Sequence, residues 1–288
     1  LATGVPRLRA SLRTFRGVRM LQVEQDIGAR PTKRPLRIQV DTIGGDGRIE
    51  SSRTVPLDRA RIAIRFEAGP AGAAHMLLNA DDSAYAVVTG DARWAEAAGE
   101  ALARMRSPLN RIQTWESLWQ AVRDGVLDPA RFAGIAIARL GAESTALIVS
   151  AVLARLESVE RLLEGARSRA LAASLDAFLL HEARNANEPL RRVWLDGLAA
   201  LARTPAGWEV MATLACRRLR GARAGAAALR RKCALMLVLR GAWTRAQALR
   251  AIAPGLERAA AFHLQLEAAR PDAAAKQRVR PPRGPVPS

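Results

Sequence analysis

Up to Gly90 the apolar residues mostly alternate with polar ones, and beyond it they recur every three to four positions. Leu8, Ala10 and Leu12 are interleaved with Arg7, Arg9, Ser11 and Arg13, the period of two that marks a half-buried strand. Phe15 to Val23 is less regular but rich in β-formers and predicts a second strand. Leu36, Ile38 and Val40 alternate with Arg37, Gln39 and Asp41, and Ile62, Ile64 and Phe66 with Arg61, Ala63 and Arg65. Between them Gly44-Gly45-Asp46-Gly47 permits positive φ and reads as a hairpin turn, with Ile49, Val55 and Leu57 on a returning strand or two. Leu77 to Val88 supplies the last strand or pair of strands. Several short antiparallel strands with one polar face predict a small β-sandwich.

From Asp91 the pattern is helical. Asp91 caps a helix carrying Trp94, Ala97, Ala98, Ala101, Leu102 and Met105 on one face. Ser107-Pro108 and Asp128-Pro129 each place a cap before proline at the first helical position. The faces behind them hold Ile112, Trp115, Leu118, Trp119 and Val122, then Phe132, Ile135, Ala136 and Leu140. Leu147, Ile148, Ala151, Val152 and Leu156 make a broad apolar face, and Leu171, Leu175, Phe178 and Leu179 continue the series. Pro189 precedes Leu190, Val193, Trp194, Leu198 and Leu201, and Thr204-Pro205 opens a helix with Trp208, Met211, Ala212 and Ala215. Leu229, Cys233, Met236 and Leu237 follow, then Leu256, Ala260 and His263. Some ten short helices without a strict repeat predict a HEAT-like array. The expected organisation is therefore mainly α with an N-terminal all-β domain. It comprises a β-sandwich over 1–89, a helical domain over 90–280, and a proline-rich tail over 281–288 expected to be disordered.

The net charge of +18 raises nucleic acid or an anionic surface as a partner. Of the 45 basic residues only Lys33, Lys232 and Lys276 are lysines; the arginines are spread along the chain, with a denser group at Arg217, Arg218, Arg220, Arg223, Arg230, Arg231 and Lys232. A single-strand groove needs aromatic platforms between its cations. The tryptophans here lie at helix-core spacing, which weighs against nucleic acid. Cys216 and Cys233 are too few for a disulfide framework or a metal knuckle and read as a reduced, buried pair, which suits a cytoplasmic setting. Uncharged runs such as Ser144 to Ala154 are far short of the roughly 18 to 20 residues that span a bilayer, so no membrane partner is expected.

No catalytic constellation is visible. His181-Glu182-Ala183-Arg184-Asn185 begins like His-Glu-x-x-His, but the second ligand position is Asn185, and the third ligand of the glutamate zincins would fall on Thr204. Two of three ligands are absent, leaving a surface or cap histidine. His75 is placed just before a strand and His263 on a mixed helix face, neither beside a nucleophile motif. Asp81-Asp82 could bind a cation or act as an acid–base pair, but adjacent strand residues point to opposite faces, and Asn, Asp and Ser together favour a turn. Tyr85 reads as a packed strand residue with its hydroxyl at the rim, and Trp115 with Trp119 as core anchors.

Leu77-Leu78-Asn79-Ala80-Asp81-Asp82-Ser83-Ala84-Tyr85-Ala86-Val87-Val88 resembles the Leu-x-Asn-x-Asp-Asp-x-x-Tyr-x-x-Val segment of the aminopeptidase N family of zinc metallopeptidases, the actinobacterial gluzincin aminopeptidases above all. In that family the segment closes a β-sandwich and leads into a C-terminal helical domain. Leu1-Ala2-Thr3-Gly4-Val5-Pro6 is similar to the segment just after the catalytic domain. Ser107-Pro108-Leu109-Asn110-Arg111, Trp115, Trp119 and Arg123-Asp124-Gly125-Val126-Leu127 are similar to the first helical pair, and Ala269-Arg270-Pro271-Asp272-Ala273 with Lys276 to a segment near the end. The likeness thins between about Ala166 and Pro254, and the proline-rich tail departs from the family.

The resemblance implies the C-terminal portion of a zinc aminopeptidase that removes N-terminal residues from peptides. The Gly-x-Met-x-Asn loop and the His-Glu-x-x-His motif, whose glutamate acts as base on a metal-bound water, would lie before Leu1. It assigns no catalytic, cofactor-binding or metal residue to this segment, and places zinc in the catalytic domain. The implied partners are that catalytic domain and peptide substrates, with the helical part closing over the active site as a bowl and limiting entry. Arginines facing the bowl would attract a peptide's C-terminal carboxylate; the sequence does not say which. The other reading is a non-catalytic helical-repeat binding module whose basic surface meets acidic partners or nucleic acid.

Overall fold

A computed structural model of the chain describes residues 5–16, 18–27, 30–31, 35–65, 73–216, 224–252, 262 and 265–266. Among these are eight β-strands, then nine α-helices and one 3-10 turn. The expectations for Phe66, the basic cluster at 217–223, the helix with Leu256, Ala260 and His263, and the tail at 281–288 lie outside the described residues. The chain divides into two compact units, Leu1–Arg155 and Leu156–Ser288.

The strands form two sheets, as the alternation required. The first contains β1 (Arg7–Phe15), β2 (Val18–Ile27), β3 (Arg30–Pro31) and β6 (Arg61–Arg65), and is completed by β8 (Val87–Gly90). The second is β4 (Leu36–Gly44) between β5 (Ile49–Leu57) and β7 (Ala73–Leu78). Leu8, Ala10, Leu21, Val23 and Ile64 of the first sheet are buried, as are Ile38, Val40, Leu57, Met76 and Leu78 of the second. The β4–β5 hairpin closes at Gly44 to Arg48 through Gly47 N–H to Gly44 O (3.0 Å) and Gly44 N–H to Arg48 O (2.9 Å), with Gly47 at φ +78°. Pairing is antiparallel except for β8, which runs parallel to β1 with Arg7 opposite Val87 and Ala10 opposite Gly90. That exception corrects the all-antiparallel expectation. A strand entering from the other sheet is free to take either direction, and the alternation pattern carries no information about which.

The crossing is made by the turn between β7 and β8. Asn79 sits at φ +56°, buried, and its side-chain amide holds both backbone groups of Ala84: Nδ2 donates to the Ala84 carbonyl (2.9 Å) and Oδ1 accepts the Ala84 N–H (3.0 Å). Asparagine is among the few residues with a side chain that tolerate this left-handed backbone. Asp81 Oδ1 accepts from Ser83 Oγ at 2.9 Å, and Asp82 takes φ +54°. Val87 N–H then bonds Pro6 O and Asp91 N–H bonds Ala10 O (2.9 and 2.8 Å), stitching the returning chain to β1. Tyr85 lies in this connection, off any strand and 82% exposed, not packed as its spacing suggested. Val87, two residues later, is where pairing resumes.

β7 is buried on both faces. Met76 and Leu78 alternate with His75 and Leu77, and all four are at most 1% exposed. The His75 ring lies 5.1 Å from that of Trp94, so His75 belongs inside the strand and under a helix, not before it. Trp94 itself closes down on Gly90, where an added Cβ would stand 2.4 Å from the indole.

Within the first unit, α1 (Ala92–Ala101), α2 (Pro108–Arg123) and α3 (Pro129–Arg139) follow, and α1 and α2 rest on strands β1, β7 and β8. All three start where the caps predicted: Asp91 accepts from Trp94 N–H, Ser107 from Asn110 N–H, and Asp128 from Ala130 and Arg131 N–H. Trp115 and Trp119 are buried and meet Phe132 edge-on at 5.9 and 5.7 Å, the core role expected of them. Arg111 forks onto Glu143 at 2.7 and 2.9 Å and also donates to the Met105 and Arg106 carbonyls. Burial alone would raise the Glu143 carboxyl, but the Arg111 guanidinium and the Thr145 N–H hold it below the usual range.

The helices α4 (Ala146–Leu162), α5 (Gly165–Asn185), α6 (Leu190–Leu201), α7 (Pro205–Cys216), α8 (Ala224–Leu239) and α9 (Arg245–Ile252) complete the helical array. In the second unit α5 packs along α6, α6 and α7 pack on α8, and α8 on α9. Trp194 and Phe178 join α6 to α5 edge-on at 5.5 Å. No helix among the described residues is long and apolar enough to cross a membrane.

Asn79→Ala is expected to cost about 2–4 kcal/mol, since it leaves the Ala84 groups unpaired and puts alanine at positive φ. Tyr85→Ala should stay within about 0.5 kcal/mol. Urea unfolding of both variants checks this. Equal losses would mean the turn is not held by the amide.

Candidate functional site

The polar residues that stood out in the sequence do not converge. Asp81 and Asp82 are exposed turn residues, and Asp81 spends its acceptor on Ser83. His181 is exposed near the end of α5, where Asn185 Nδ2 donates to the His181 carbonyl at 2.9 Å in place of a second ligand. Among the described residues no group of three or more His, Cys, Asp or Glu side chains could hold a metal ion. The cysteines are not a buried pair: Cys233 is buried, and burial pushes its thiol up to about 12, while Cys216 at the end of α7 is exposed. Trp94, Trp115, Trp119 and Trp194 are buried and offer no stacking face to a nucleic-acid base.

Two arrangements in the second unit went unseen in the sequence. The first is a partly buried ionic network around the buried Asp176. Asp176 of α5 accepts from Thr204 N–H (2.7 Å), Thr204 Oγ1 (2.6 Å) and Arg203 N–H (3.1 Å), which explains why Thr204-Pro205 starts α7 where it does. Arg203 Nη2 lies 2.8 Å from Glu160 Oε2 of α4, yet neither Glu160 oxygen receives a well-aligned hydrogen bond. Burial pushes Glu160 up to about 7; Arg203 and Arg240 oppose the rise, and Asp176 and Glu157 add to it. Burial and the neighbouring Arg203 together pull Arg240 down to about 10. Both shifts run against charge, so desolvation outweighs pairing here and the network reads as structural. Its members are too far apart in sequence for any motif to reveal.

Glu160 sets a pH dependence. Its folded value (about 7) lies above the ordinary 4.5, so the folded chain holds more protons between them, and stability must fall as pH rises through that window. Glu160→Gln is expected to remove the fall. Between about pH 5 and 8 the stability difference between variant and parent should move in the variant's favour by roughly 2–3 kcal/mol. Parallel urea titrations at the two pH values would show no such movement if Glu160 titrates normally.

The second arrangement is a cleft of about 680 Å³ among α5, α6, α7 and α8. Leu180, Leu195, Val210, Leu214 and Leu229 supply its apolar wall. Arg184, Arg191, Arg192 and Arg230 also line it, against one carboxylate, Glu188. Arg192 pairs with Asp196 (3.1 Å) and donates to the Gly225 carbonyl, and Arg230 donates to the Ala215 and Ala251 carbonyls (3.0 and 2.9 Å). Arg184 and Arg191 are exposed, and among the described residues neither guanidinium has a hydrogen-bond or ion-pair partner. The helical spacing of these residues was visible in the sequence. Which helices would face one another was not.

Comparison with known proteins agrees with this architecture. The family model of the ERAP1-like C-terminal domain matches residues 76–279, from inside β7 through the whole helical series. Over 194 residues the chain is 28% identical to aminopeptidase N of Streptomyces lividans, an alignment covering 64% of this chain and 22% of that protein. The crystal structure of Legionella pneumophila aminopeptidase A in complex with aspartic acid superposes with a TM-score of 0.58 at 13% identity, covering 96% of this chain and 37% of that one, a likeness of fold. The chain thus spans well under half the length of either relative. The seam turn, the capped helices and the long family match agree, and the chain belongs to the ERAP1-like C-terminal domain family.

Proposed function

We propose that this chain is the C-terminal portion of a cytoplasmic zinc-dependent aminopeptidase, and that it caps the active site of a separate catalytic domain and limits which peptides enter. The observation that carries the reading is the family match over residues 76–279, joined by the order of sandwich and then helices. In this reading residues 1–89 form the linking sandwich and 90–280 the helical cap, and zinc with its catalytic glutamate belongs to the partner domain. The chain's own contribution is shape and charge. Its helices wall the substrate space, and its excess of arginine favours the carboxylate end of a peptide over its amine end.

The purified chain is expected to carry no stoichiometric zinc and to release no product from a leucyl-arylamide. Metal analysis and a colorimetric assay check both. Turnover accompanied by bound zinc would place the chemistry inside this chain and end the reading. The reading frame upstream of Leu1 is expected to encode His-Glu-x-x-His within a few hundred residues.

A further inference from the structure

We infer that a small cavity beside the seam turn binds a guanidinium group carried on a short aliphatic stem. The inference rests on the cavity itself and stands whether or not the aminopeptidase reading holds. The cavity lies within the first unit, between α2 and the turn that joins β7 to β8. Its volume is about 130 Å³, roughly four times a water molecule's share of the liquid. That is room for the head of one side chain, well below the roughly 300 Å³ at which sites for whole small molecules begin. Leu78, Ala86, Val87 and Val88 supply its apolar wall. The polar wall comes from Asp82 in the turn and from Gln113, Glu116, Ser117 and Gln120 of α2.

The polar groups have different tasks. Glu116 accepts from Arg155 (3.0 Å) and from Gln120 (2.8 Å), so its carboxylate is already balanced and occupied. Three oxygens have no such commitment among the described residues. Gln113 gives its amide N–H to the Asn79 carbonyl at 2.8 Å, which leaves its own Oε1 buried without a donor. Ser117 is only 4% exposed, and its hydroxyl has no hydrogen-bond partner. The Asp82 carboxylate, at the exposed side, has none either. A buried carbonyl without a donor costs about 1–3 kcal/mol, so the cavity favours a ligand that brings N–H groups. Among the described residues no Lys, Arg or His lines the space, and Asp82 gives it a net negative charge on a chain whose total is +18. The ligand that fits is therefore a cation with several donors. A guanidinium spreads five N–H donors over one plane and is weakly hydrated, so its faces tolerate the apolar wall. An ammonium is a strongly hydrated point charge, and a small divalent metal ion gives up its waters reluctantly. A guanidinium on an aliphatic stem is found on free alkylguanidines and on the arginine side chain of a peptide.

Ligand-detected NMR titration of the full chain with propylguanidinium, propylammonium and propan-1-ol tests the inference. Propylguanidinium is expected to bind about tenfold more tightly than either control, and more weakly as salt rises. In the double variant Asp82→Asn, Ser117→Ala its binding should fall about tenfold. Asparagine accepts the left-handed backbone at position 82, and the Ser117 hydroxyl has no bond to lose, so the thermal melt should be unchanged. Asp81→Asn makes the same charge change in the same turn without touching the cavity, and should bind as the parent does. An acetylated Ala-Arg-Ala amide, run beside the same peptide with neutral citrulline in place of arginine, identifies the source. Binding by the arginine peptide and not the citrulline one supports the inference with a peptide as occupant, even if propylguanidinium fails. The inference is overturned if propan-1-ol or propylammonium binds as well as propylguanidinium, or if citrulline serves as well as arginine. It is overturned equally if the double variant binds normally, if Asp81→Asn weakens binding as much as the double variant, or if neither guanidinium binds.

Discussion

The side-chain amide of Asn79 holds the first unit together at the point where its architecture changes. The chain must leave β7 in one sheet and enter β8 in the other within a few residues, and the backbone has to take left-handed turns at Asn79 and Asp82 to do so. One buried amide grips both the N–H and the C=O of Ala84, replacing the ladder bonds the chain lacks during the crossing. Everything downstream inherits that geometry: β8 aligns beside β1, Gly90 leaves room for Trp94, and Asp91 arrives where it can cap α1. Gln113 of α2 donates to the Asn79 carbonyl at 2.8 Å, so the second helix is tied to the same turn.

The helices then rely on a few buried polar residues whose partners are distant in sequence. Arg111 and Glu143 lock the start of α2 to the segment before α4, with the arginine's remaining donors placed on carbonyls. Asp176 gathers the amides that open α7. These groups are satisfied, so each gives a specific fit at modest electrostatic cost. Glu160 and Arg240 are the exception, held in a site that disfavours their charged forms. Short helices without a strict repeat need such markers, because apolar faces alone would allow several packings.

The seam motif and the family match draw attention to the same stretch, yet the stretch is architectural. Asp81, Asp82 and Tyr85 are exposed around a turn whose essential member is Asn79. Among the described residues, a separate arginine-lined cleft is assembled by α5, α6, α7 and α8.

Much of the fold was legible because it is local. Asp91, Ser107-Pro108, Asp128-Pro129 and Thr204-Pro205 announce helix starts through bonds to amides two or three residues away. The alternation in β1, β4 and β6 and the glycines at the β4–β5 turn act over similarly short distances. The seam was recognisable by its residues, though the reason for Asn79 was not. What only the tertiary structure decided depends on contacts between distant segments. His75 is buried because Trp94 covers it, β7 is buried on both faces because a sheet and a helix flank it, and β8 runs parallel to β1 because of where its turn delivers it. Cys216 and Cys233 share a helical spacing and differ in burial, and Arg184, Arg191, Arg192 and Arg230 meet around one cleft, because packing chooses which face of each helix is covered. Periodicity tells that a helix has an apolar face; only the assembled neighbours determine what that face touches.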